Sequence, residues 1–442
     1  EMLSALRVSD AAILVVAAPS GIEVGTDQAW VRLEERSLPR IVVINKLDRE
    51  NTEFDQVVEA ITEAWGRKCV PIQLPNGAES DFTAAGSLIS DSALQEGAGA
   101  ELYERLVEAV AETDDALTEK FLEGEALTAD ELISGLKQGI ASGDIVPIVA
   151  TAALEEVGVS DLMDAVVDLL PSPDAAAKRN DATEIPEGAE ANLVFKTAAD
   201  PFVGKLSYFR VYGIPFVGGS EHWNVNRETS ERVGQVSSPK GKESEVTEEV
   251  VFGDIGVISR LDVTGTGDTL TNSENPVTLD GIDMPEPFYA LAATPKTQAD
   301  LDKMSDALSK LGEEDPSLNI SRDPNTAETI IRGLGDVHVH IGIERVERKF
   351  GVALETSLPR IAYMETIGGS ARVEYRHKKQ SGGHGQYGHV VIELSPRTRG
   401  EGFIFDSKVV GGNVPREYIP AVEKGVVKSM ETGPVAGFPV VD

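Results

Sequence analysis

Residues 40–48 read RIVVINKLD, an unbroken apolar run that ends in a polar and charged turn. Two more β-branched runs have the same character, AAILVVAA at 11–18 and IVPIVATA at 145–152. Amphipathic repeats such as TDQAWVRLEER at 26–36 lie between these runs. Strands that alternate with helices predict βαβ crossovers onto a parallel sheet covered by helices. We therefore expect an α/β domain over residues 1–175.

The pattern changes three times after this domain. A stretch rich in Pro, Ala and Asp without periodicity predicts a linker over 176–192. Short alternating strands at even spacing predict a small β-barrel or sandwich over 193–285. The order of strand and helix patterns over 286–364 predicts a βαββαβ ferredoxin-like domain, and residues 365–442 predict a partial α/β domain. The predicted fold class is thus multidomain, combining α/β, β and α+β parts.

Composition sets limits on the cellular setting. The chain has 442 residues and a formal net charge of −34, which disfavours binding to nucleic acid unless basic residues cluster locally. Its one cysteine, Cys69, cannot form an internal disulfide, so we expect a buried thiol in a reducing compartment. Because no apolar run approaches the roughly 20 residues that span a bilayer, we expect a cytoplasmic protein without membrane contact. We also expect a monomer.

The turn after the central strand carries the strongest chemical signal. Asn45, Lys46 and Asp48 follow directly after the apolar strand, where open α/β sheets bind their ligands. The Asp48 carboxylate can accept both the ring N–H and the exocyclic amine of guanine, which adenine cannot reciprocate. Asn45 can bond the base and neighbouring loops through its amide, and the Lys46 stem can lie across the purine face. These residues predict a guanine-binding loop.

A phosphate-binding motif is missing from the sequence. No G-x-x-x-x-G-K-[ST] occurs, since Gly241-Lys242 is followed by Glu243 and has no upstream glycine. The chain also opens at Glu1 inside an amphipathic pattern and stops at Asp442 directly after an apolar run. We therefore expect a fragment that lacks the N-terminal P-loop part and the C-terminal end. The fragment alone is predicted to be inactive, with no catalytic residue of its own.

Five blocks, taken in order, resemble the translational GTPase elongation factor G, and in particular its divergent bacterial paralogues. They are SGIEVGTDQAW with PRIVVINKLDRE at 20–50, DPFVGKLSYFRVYG with TGTGDTL at 200–270, TPKTQADLDKMSDALSKLGEEDPSL at 294–318, GLGDVHVHIGIERVERKFGV at 333–352, and KKQSGGHGQYGHVVIEL with GGNVPREYIPAVEKG at 378–425. The resemblance implies a partial P-loop-GTPase-type parallel sheet, a β-barrel, a ferredoxin-like domain and a fourth domain that reaches RNA. Leu47, in place of the usual methionine, is one departure that favours the paralogues.

The resemblance also implies the ligands and partners of the complete protein. These are GTP or GDP with Mg²⁺, and the ribosome with its RNA and proteins, for translocation or ribosome recycling. Thr151, Ala152 and Ala153 would form the second guanine loop, with Ala152 at the position usually occupied by serine. Backbone N–H groups of that loop would then meet the guanine carbonyl.

A basic hairpin near the end of the chain reverses the overall charge. Between Gly368 and Gly400 six Lys and Arg side chains face two Glu, a local net charge of +4. The glycine-rich loop predicted at 381–388 offers backbone donors, an amide and an aromatic ring to single-stranded or looped RNA. The residues predicted to contact RNA are Lys378, Lys379, Gln380, Ser381, Gly382, Gly383, His384, Gly385, Gln386 and Tyr387. Without the resemblance, a solvated hairpin explains this pattern equally well.

Other functional interpretations remain open or weak. A ribosomal protection protein of the tetracycline-resistance type would share this architecture, and a non-enzymatic RNA-binding scaffold with a vestigial G domain is the alternative from another class. His338 and His340 stand two apart, which on a helix turns them by about 200° and prevents shared metal ligation. We therefore predict no metal site within the chain.

Overall fold

The computed structural model describes residues 1–179, 185–200, 203–241, 243–380, 382–383 and 385–442. These residues divide into two compact units. The first comprises Glu1–Glu286, Ser305–Leu318 and Glu344–Gly351, and the second comprises Pro287–Met304, Asn319–Ile343 and Val352–Asp442. Among the described residues, no helix is both long enough and apolar enough to cross a membrane.

A parallel sheet forms the centre of the first 179 residues. The elements are α1 (Met2–Arg7), β1 (Ala12–Ala17), α2 (Val24–Glu35), β2 (Arg40–Asn45), α3 (Phe54–Trp65), β3 (Cys69–Pro71), β4 (Gln73–Asn76), β5 (Ala84–Ser87), α4 (Ser92–Glu96), α5 (Ala100–Ala111), α6 (Asp115–Glu123), α7 (Ala129–Ser142), β6 (Val146–Ala150), α8 (Val159–Leu169) and α9 (Pro173–Arg179). The strand order is β1-β2-β6-β3 with parallel pairing throughout, while β4 and β5 form a small antiparallel pair. The predicted parallel sheet is confirmed, with β3 as an additional strand.

The central strand β2 is apolar because both of its faces are buried. Val42 and Ile44 join one hydrophobic core, whereas Ile41 and Val43 join a second core. Alternate side chains of a strand point to opposite faces, so the two cores lie on the two sides of the sheet. The sheet and its helices therefore hold the end of β2, at Asn45, in a fixed position.

The next part of the first unit is built from antiparallel strands. They are β7 (Ala191–Asp200), β8 (Gly204–Val211), β9 (Phe216–Val217), β10 (Glu221–Asn224), β11 (Thr229–Arg232), β12 (Val236–Lys240), β13 (Glu243–Thr247), β14 (Glu249–Val250), β15 (Ile255–Ser259) and β16 (Thr269–Thr271). Eight of them pair in the order β11-β10-β16-β7-β8-β15-β12-β13, and β9 pairs with β14. Phe209 of β8 and Phe216 of β9 meet in one core that side chains from both sheets fill. This arrangement is the predicted all-β part.

Residues 289–357 follow the predicted βαββαβ order. The elements are β17 (Tyr289–Pro295), α10 (Gln298–Glu314), β18 (Asn319–Arg322), β19 (Thr329–Gly333), α11 (Asp336–Phe350) and β20 (Leu354–Ser357). The four strands pair antiparallel in the order β18-β19-β17-β20. In the ferredoxin-like topology the first and third strands lie side by side at the centre, as β17 and β19 do here.

The last part of the second unit contains a long hairpin and one longer helix. The hairpin consists of β21 (Ala371–Gln380) and β22 (Gly385–Leu394), and α12 (Ile419–Met430) follows it. A bridge between Glu365 and Val440 brings the start of this part to the end of the chain. The carboxylate of Glu365 accepts hydrogen bonds from the backbone N–H groups of Val435, Ala436 and Phe438 at 2.7–3.2 Å.

Candidate guanine loops and RNA-contacting hairpin

Asn45 joins the two predicted guanine loops. Strands β2 and β6 are parallel neighbours, so their carboxyl ends open at the same edge of the sheet, and the Thr151 N–H donates to the Ile44 carbonyl at 2.8 Å. The Oδ1 atom of Asn45 accepts from the Thr151 hydroxyl at 3.1 Å and from the Ala153 N–H at 2.9 Å. The structure thus brings Asn45, Thr151 and Ala153 together although about a hundred residues separate them.

The loop from Lys46 to Asp48 is held by hydrogen bonds from a buried threonine, and its charged side chains are accessible to solvent. Lys46 is exposed and adopts a left-handed backbone conformation with φ of 66°, while Leu47 is buried in the core. The buried Thr52 hydroxyl lies 2.7 Å from the Arg49 carbonyl oxygen and 3.2 Å from that of Leu47. The Asp48 side chain is 19% exposed, and one of its oxygens is 3.6 Å from Arg49 Nε. The Asp48 carboxylate therefore remains reachable by a ligand.

The second loop uses its backbone donors within the protein. Ala152 is fully buried, and its N–H donates to the Val157 carbonyl at 3.0 Å. The Ala153 N–H is bound to Asn45 Oδ1, so a guanine carbonyl at this point would share that donor with the Asn45 side chain. Gly158 has φ of 73°, and a Cβ there would come within 2.3 Å of the Ala150 carbonyl oxygen. This turn therefore requires glycine.

The roles of Thr52 and Gly158 in shaping the two loops were not identified from the sequence. A threonine four residues after Asp48 matches no short motif, since its role depends on two backbone carbonyls that the folded loop brings close. Gly158 follows Glu155, Glu156 and Val157 and directly precedes a helical pattern, which is a recognisable start signal for a helix. That signal could have located the turn, but not its close approach to β6.

The cysteine and the two histidines that the sequence singled out have structural explanations. Burial raises the pKa of the Cys69 thiol to about 12, and the residue is a free cysteine inside the sheet core. His338 Nδ1 accepts from the Leu334 N–H at 3.1 Å, and His340 Nδ1 lies 2.8 Å from the Asp336 carbonyl oxygen. Within the described ranges no group of three or more His, Cys, Asp or Glu side chains could hold a metal ion.

The basic hairpin is longer and its loop shorter than predicted. Lys378 lies opposite Tyr387, Lys379 opposite Gln386, and Gln380 opposite Gly385, so pairing continues to the last four-residue connection. The prediction that 381–388 form a glycine-rich loop is wrong for its second half, which belongs to β22. The glycines there are exposed in an extended strand, where a missing side chain does not interrupt the backbone ladder.

Side chains at the tip of the hairpin are open to solvent. Gln380, Gly382, Gly383, Gly385 and Gln386 are all exposed, and Gly382 has φ of 84°. Ser381 and His384, which were also predicted to contact RNA, lie outside the described residues.

The cations of the hairpin keep their charges available. Glu374 pairs with His389 at 2.7 Å and Glu393 with Lys408 at 3.4 Å. No carboxylate in the described part of the chain pairs with the other basic side chains of the two strands, which are Arg372, Arg376, Lys378 and Lys379. An exposed and unpaired cation exerts its field on a polyanion without first breaking an internal ion pair.

Four family models match the chain in consecutive segments. They are the elongation factor Tu GTP binding domain at residues 1–172, elongation factor G domain 2 at 190–273, elongation factor G domain III at 284–358 and elongation factor G domain IV at 359–442. The expected loss of the N-terminal part of the first domain is wrong in part, because the GTP-binding model matches from the first residue.

A solved structure matches the whole chain. It is the crystal structure of a protein from Thermus thermophilus, which is 30% identical in sequence and superposes with a TM-score of 0.80. The match covers 100% of this chain and 67% of the chain from Thermus. The likeness extends over the sheets and helices of both compact units.

Proposed function

This chain belongs to the elongation factor G family, and from that premise we propose that it acts as part of a ribosome-dependent translational GTPase. The observation that carries the proposal is the junction at Asn45, which holds two loops together beneath a reachable Asp48 carboxylate. A guanine base is the ligand whose donors match that carboxylate. The proposed setting is the cytoplasm, with the protein as a monomer and the ribosome as its partner.

In this proposal the two loops read the base of the nucleotide. Asp48 accepts the two guanine donors, and the exposed Lys46 stem covers one face of the ring. Asn45 orients the loops, because its Oδ1 atom is already bound to Thr151 and Ala153, and its amide nitrogen would bond the base. Ala152 is buried in the hydrophobic core beneath the loops, and its methyl side chain cannot form a hydrogen bond with the base.

Hydrolysis is assigned to the full-length protein. Family membership implies GTP with Mg²⁺, which would supply electrostatic stabilisation of the charge that develops during phosphoryl transfer. The described residues contain no group of three or more His, Cys, Asp or Glu side chains that fits a metal ion, and the sequence contains no P-loop motif. We therefore expect this chain alone to retain the base contacts without turning GTP over.

The hairpin provides the contact with ribosomal RNA. Its exposed cations, Lys378 and Lys379 among them, supply phosphate affinity that does not depend on sequence, while the tip from Gln380 to Tyr387 supplies fit in a confined site. Domain rearrangement after nucleotide binding would then move this tip on the ribosome, in translocation or in recycling.

The test compares GTP turnover by the full-length protein with and without ribosomes, and turnover by this chain alone. We expect stimulation by ribosomes for the full-length protein and turnover at the buffer level for this chain. An absence of stimulation, together with an intact P-loop lysine in the full-length protein, would contradict the ribosome-dependent function. Ribosome binding without any turnover would favour the non-enzymatic scaffold.

A further inference from the structure

The two faces of the basic hairpin differ in chemistry. Alternate residues of a strand point to opposite faces, and residues directly opposite in the register share a face. One face carries Arg372, Glu374, Arg376, Lys378, Tyr387, His389, Val391 and Glu393, and we call it the Tyr387 face. The other carries Val373, Tyr375, His377, Lys379, Gln386, Val390 and Ile392, and we call it the Tyr375 face.

Two side-chain contacts support this assignment. His389 lies 2.7 Å from Glu374, and both belong to the Tyr387 face. His377 Nε2 lies 3.3 Å from Gln386 Oε1, and both belong to the Tyr375 face. Each pair is diagonal across the strands, which is within reach only for residues on the same face.

The Tyr387 face combines an open aromatic ring with cations beside it. Tyr387 is 67% exposed, Lys378 lies directly opposite, and Arg376 lies on the diagonal, opposite His389. Neither Lys378 nor Arg376 forms an ion pair with any described carboxylate. A flat ring with flanking unpaired cations suits a nucleobase that stacks on the ring while its phosphates meet the cations.

The Tyr375 face offers an internal comparison. Tyr375 is 64% exposed, nearly as much as Tyr387, but its neighbours across and along the strands are Val373, His377, Val390 and Ile392, of which three are apolar and none is Lys or Arg. Val390 and Ile392 are half-buried. The same residue type thus stands in an apolar setting on one face and in a cationic setting on the other.

We propose that the Tyr387 face binds one unpaired RNA nucleotide, with the base stacked on Tyr387 and the adjoining phosphates held by Lys378 and Arg376. The proposal rests on the proposed function only in taking RNA as the partner. RNA is favoured over an acidic protein segment because carboxylates would use the two cations but would leave the exposed ring without a role. Duplex RNA would also leave it unused, since its bases are already stacked.

The experiment measures binding of this chain to a fluorescently labelled oligouridylate of twelve nucleotides, by fluorescence anisotropy over a range of salt concentrations. We expect Tyr387→Ala to weaken binding about fivefold or more without changing the salt slope, because stacking carries no counterion release. Tyr387→Phe keeps the ring and should bind like the unchanged chain. Lys378→Ala should lower affinity more than Lys379→Ala does, and it should reduce the log–log slope by about 0.7.

Tyr375→Ala is the matched control, since it removes an equally exposed tyrosine from the opposite face. Its affinity for oligouridylate should equal that of the unchanged chain. Equal losses for Tyr375→Ala and Tyr387→Ala would overturn the proposal, as would losses in the lysine variants with none in Tyr387→Ala. No binding by the unchanged chain at low salt would overturn it too. Circular dichroism of each variant checks that the overall secondary structure of the chain is unchanged in every comparison.

Two further arms separate this inference from its premise and from another partner. An oligoglutamate peptide that binds with the same dependence on Tyr387 would assign the face to protein and overturn the RNA assignment. The oligonucleotide assay needs neither ribosomes nor GTP. Tyr387-dependent binding in a protein that ribosomes do not stimulate would therefore sustain this inference while contradicting the proposed function, and the reverse result would contradict this inference alone.

Discussion

The guanine loops and the basic hairpin are built in opposite ways. The loops continue from buried parallel strands, and their polar atoms bind one another before any ligand arrives. The hairpin exposes most side chains of its two strands, and their Lys and Arg side chains form no ion pair within the described residues. Replacing Asn45, which joins the two loops, should thus change stability and binding together. A substitution in the hairpin should change binding alone.

Asn45→Ala should give the largest effect on stability. The change removes the acceptor of the Ala153 N–H and the nearer acceptor of the nearly fully buried Thr151 hydroxyl, which keeps only the Ile44 carbonyl oxygen at 3.4 Å. The loss of these two hydrogen bonds should cost about 1–3 kcal/mol of unfolding free energy in total. Urea denaturation can be followed by labelling of Cys69, whose thiol is buried with a pKa of about 12 and should react only after the sheet opens.

Gln386→Ala is the control for this measurement, because it removes an exposed amide from the hairpin. Its unfolding free energy should stay within about 0.5 kcal/mol of the unchanged chain. If Asn45→Ala were equally neutral, the loops would not depend on the Asn45 junction, and the contrast between the two regions would fail.

Asp48→Asn should separate binding from stability within the loops themselves. The Asp48 side chain is partly exposed and its nearest charged partner is Arg49 at 3.6 Å, so folding should change by no more than about 0.5 kcal/mol. In the full-length protein the preference for guanine over adenine nucleotides should fall about tenfold or more, because one acceptor becomes a donor. Competition between GTP and ATP for the bound site measures this. An unchanged preference for guanine nucleotides would show that Asp48 does not recognise the base.

The contrast also explains which features could be predicted from the sequence. The strand β2 and its polar end were predictable, since a run buried on both faces is continuously apolar and stops where the ligand edge begins. The strand β3 spans only Cys69–Pro71, which is too short to show any periodicity. The binding of the Ala153 N–H by Asn45 is a contact across the sheet that no local pattern encodes.

The length of the hairpin strands could not be predicted from the sequence for a different physical reason. Glycines at 382, 383, 385 and 388 signal a loop, because glycine is disfavoured in strand interiors. The pairing of Gln380 with Gly385 and of His377 with Gly388 instead extends the ladder through two of them. Backbone hydrogen bonds decide that register, and composition does not report them.

Replacing both lysines of the hairpin by alanine should lower ribosome association of the full-length protein and leave its folding unchanged. Each lost phosphate contact reduces the slope of log affinity against log salt by about 0.7 to 0.9. A loss near one contact would indicate that Lys378 carries most of the binding, and a loss near two would indicate that Lys379 contributes equally. GTP binding should persist in this variant. Association with an unchanged salt slope would leave the hairpin as a merely solvated surface.

The smallest effect on stability is expected at Glu365, whose carboxylate binds the backbone of a turn in the second unit. Hydrogen bonds from the backbone N–H groups of Ala436, first, and of Val435 and Phe438 lower the pKa of the Glu365 carboxyl below its ordinary value of 4.5. A lowered pKa in the folded state means that the ionised form favours folding. That stability is present above the unfolded pKa and is lost as pH falls through the folded pKa.

Glu365→Gln should therefore lower the melting temperature of the chain at pH 7, and the difference from the unchanged chain should shrink as pH falls below about 4.5. Comparing the two proteins at each pH cancels the titration of every other acid they share. Thermal melts followed by circular dichroism provide the measurement. A difference that stays constant over this range would mean that ionisation of Glu365 contributes nothing. The backbone N–H groups at 435–438 would then be bound equally well by a neutral side chain at 365. This part of the second unit would in that case gain no stability from charge, like the exposed hairpin beside it in the chain.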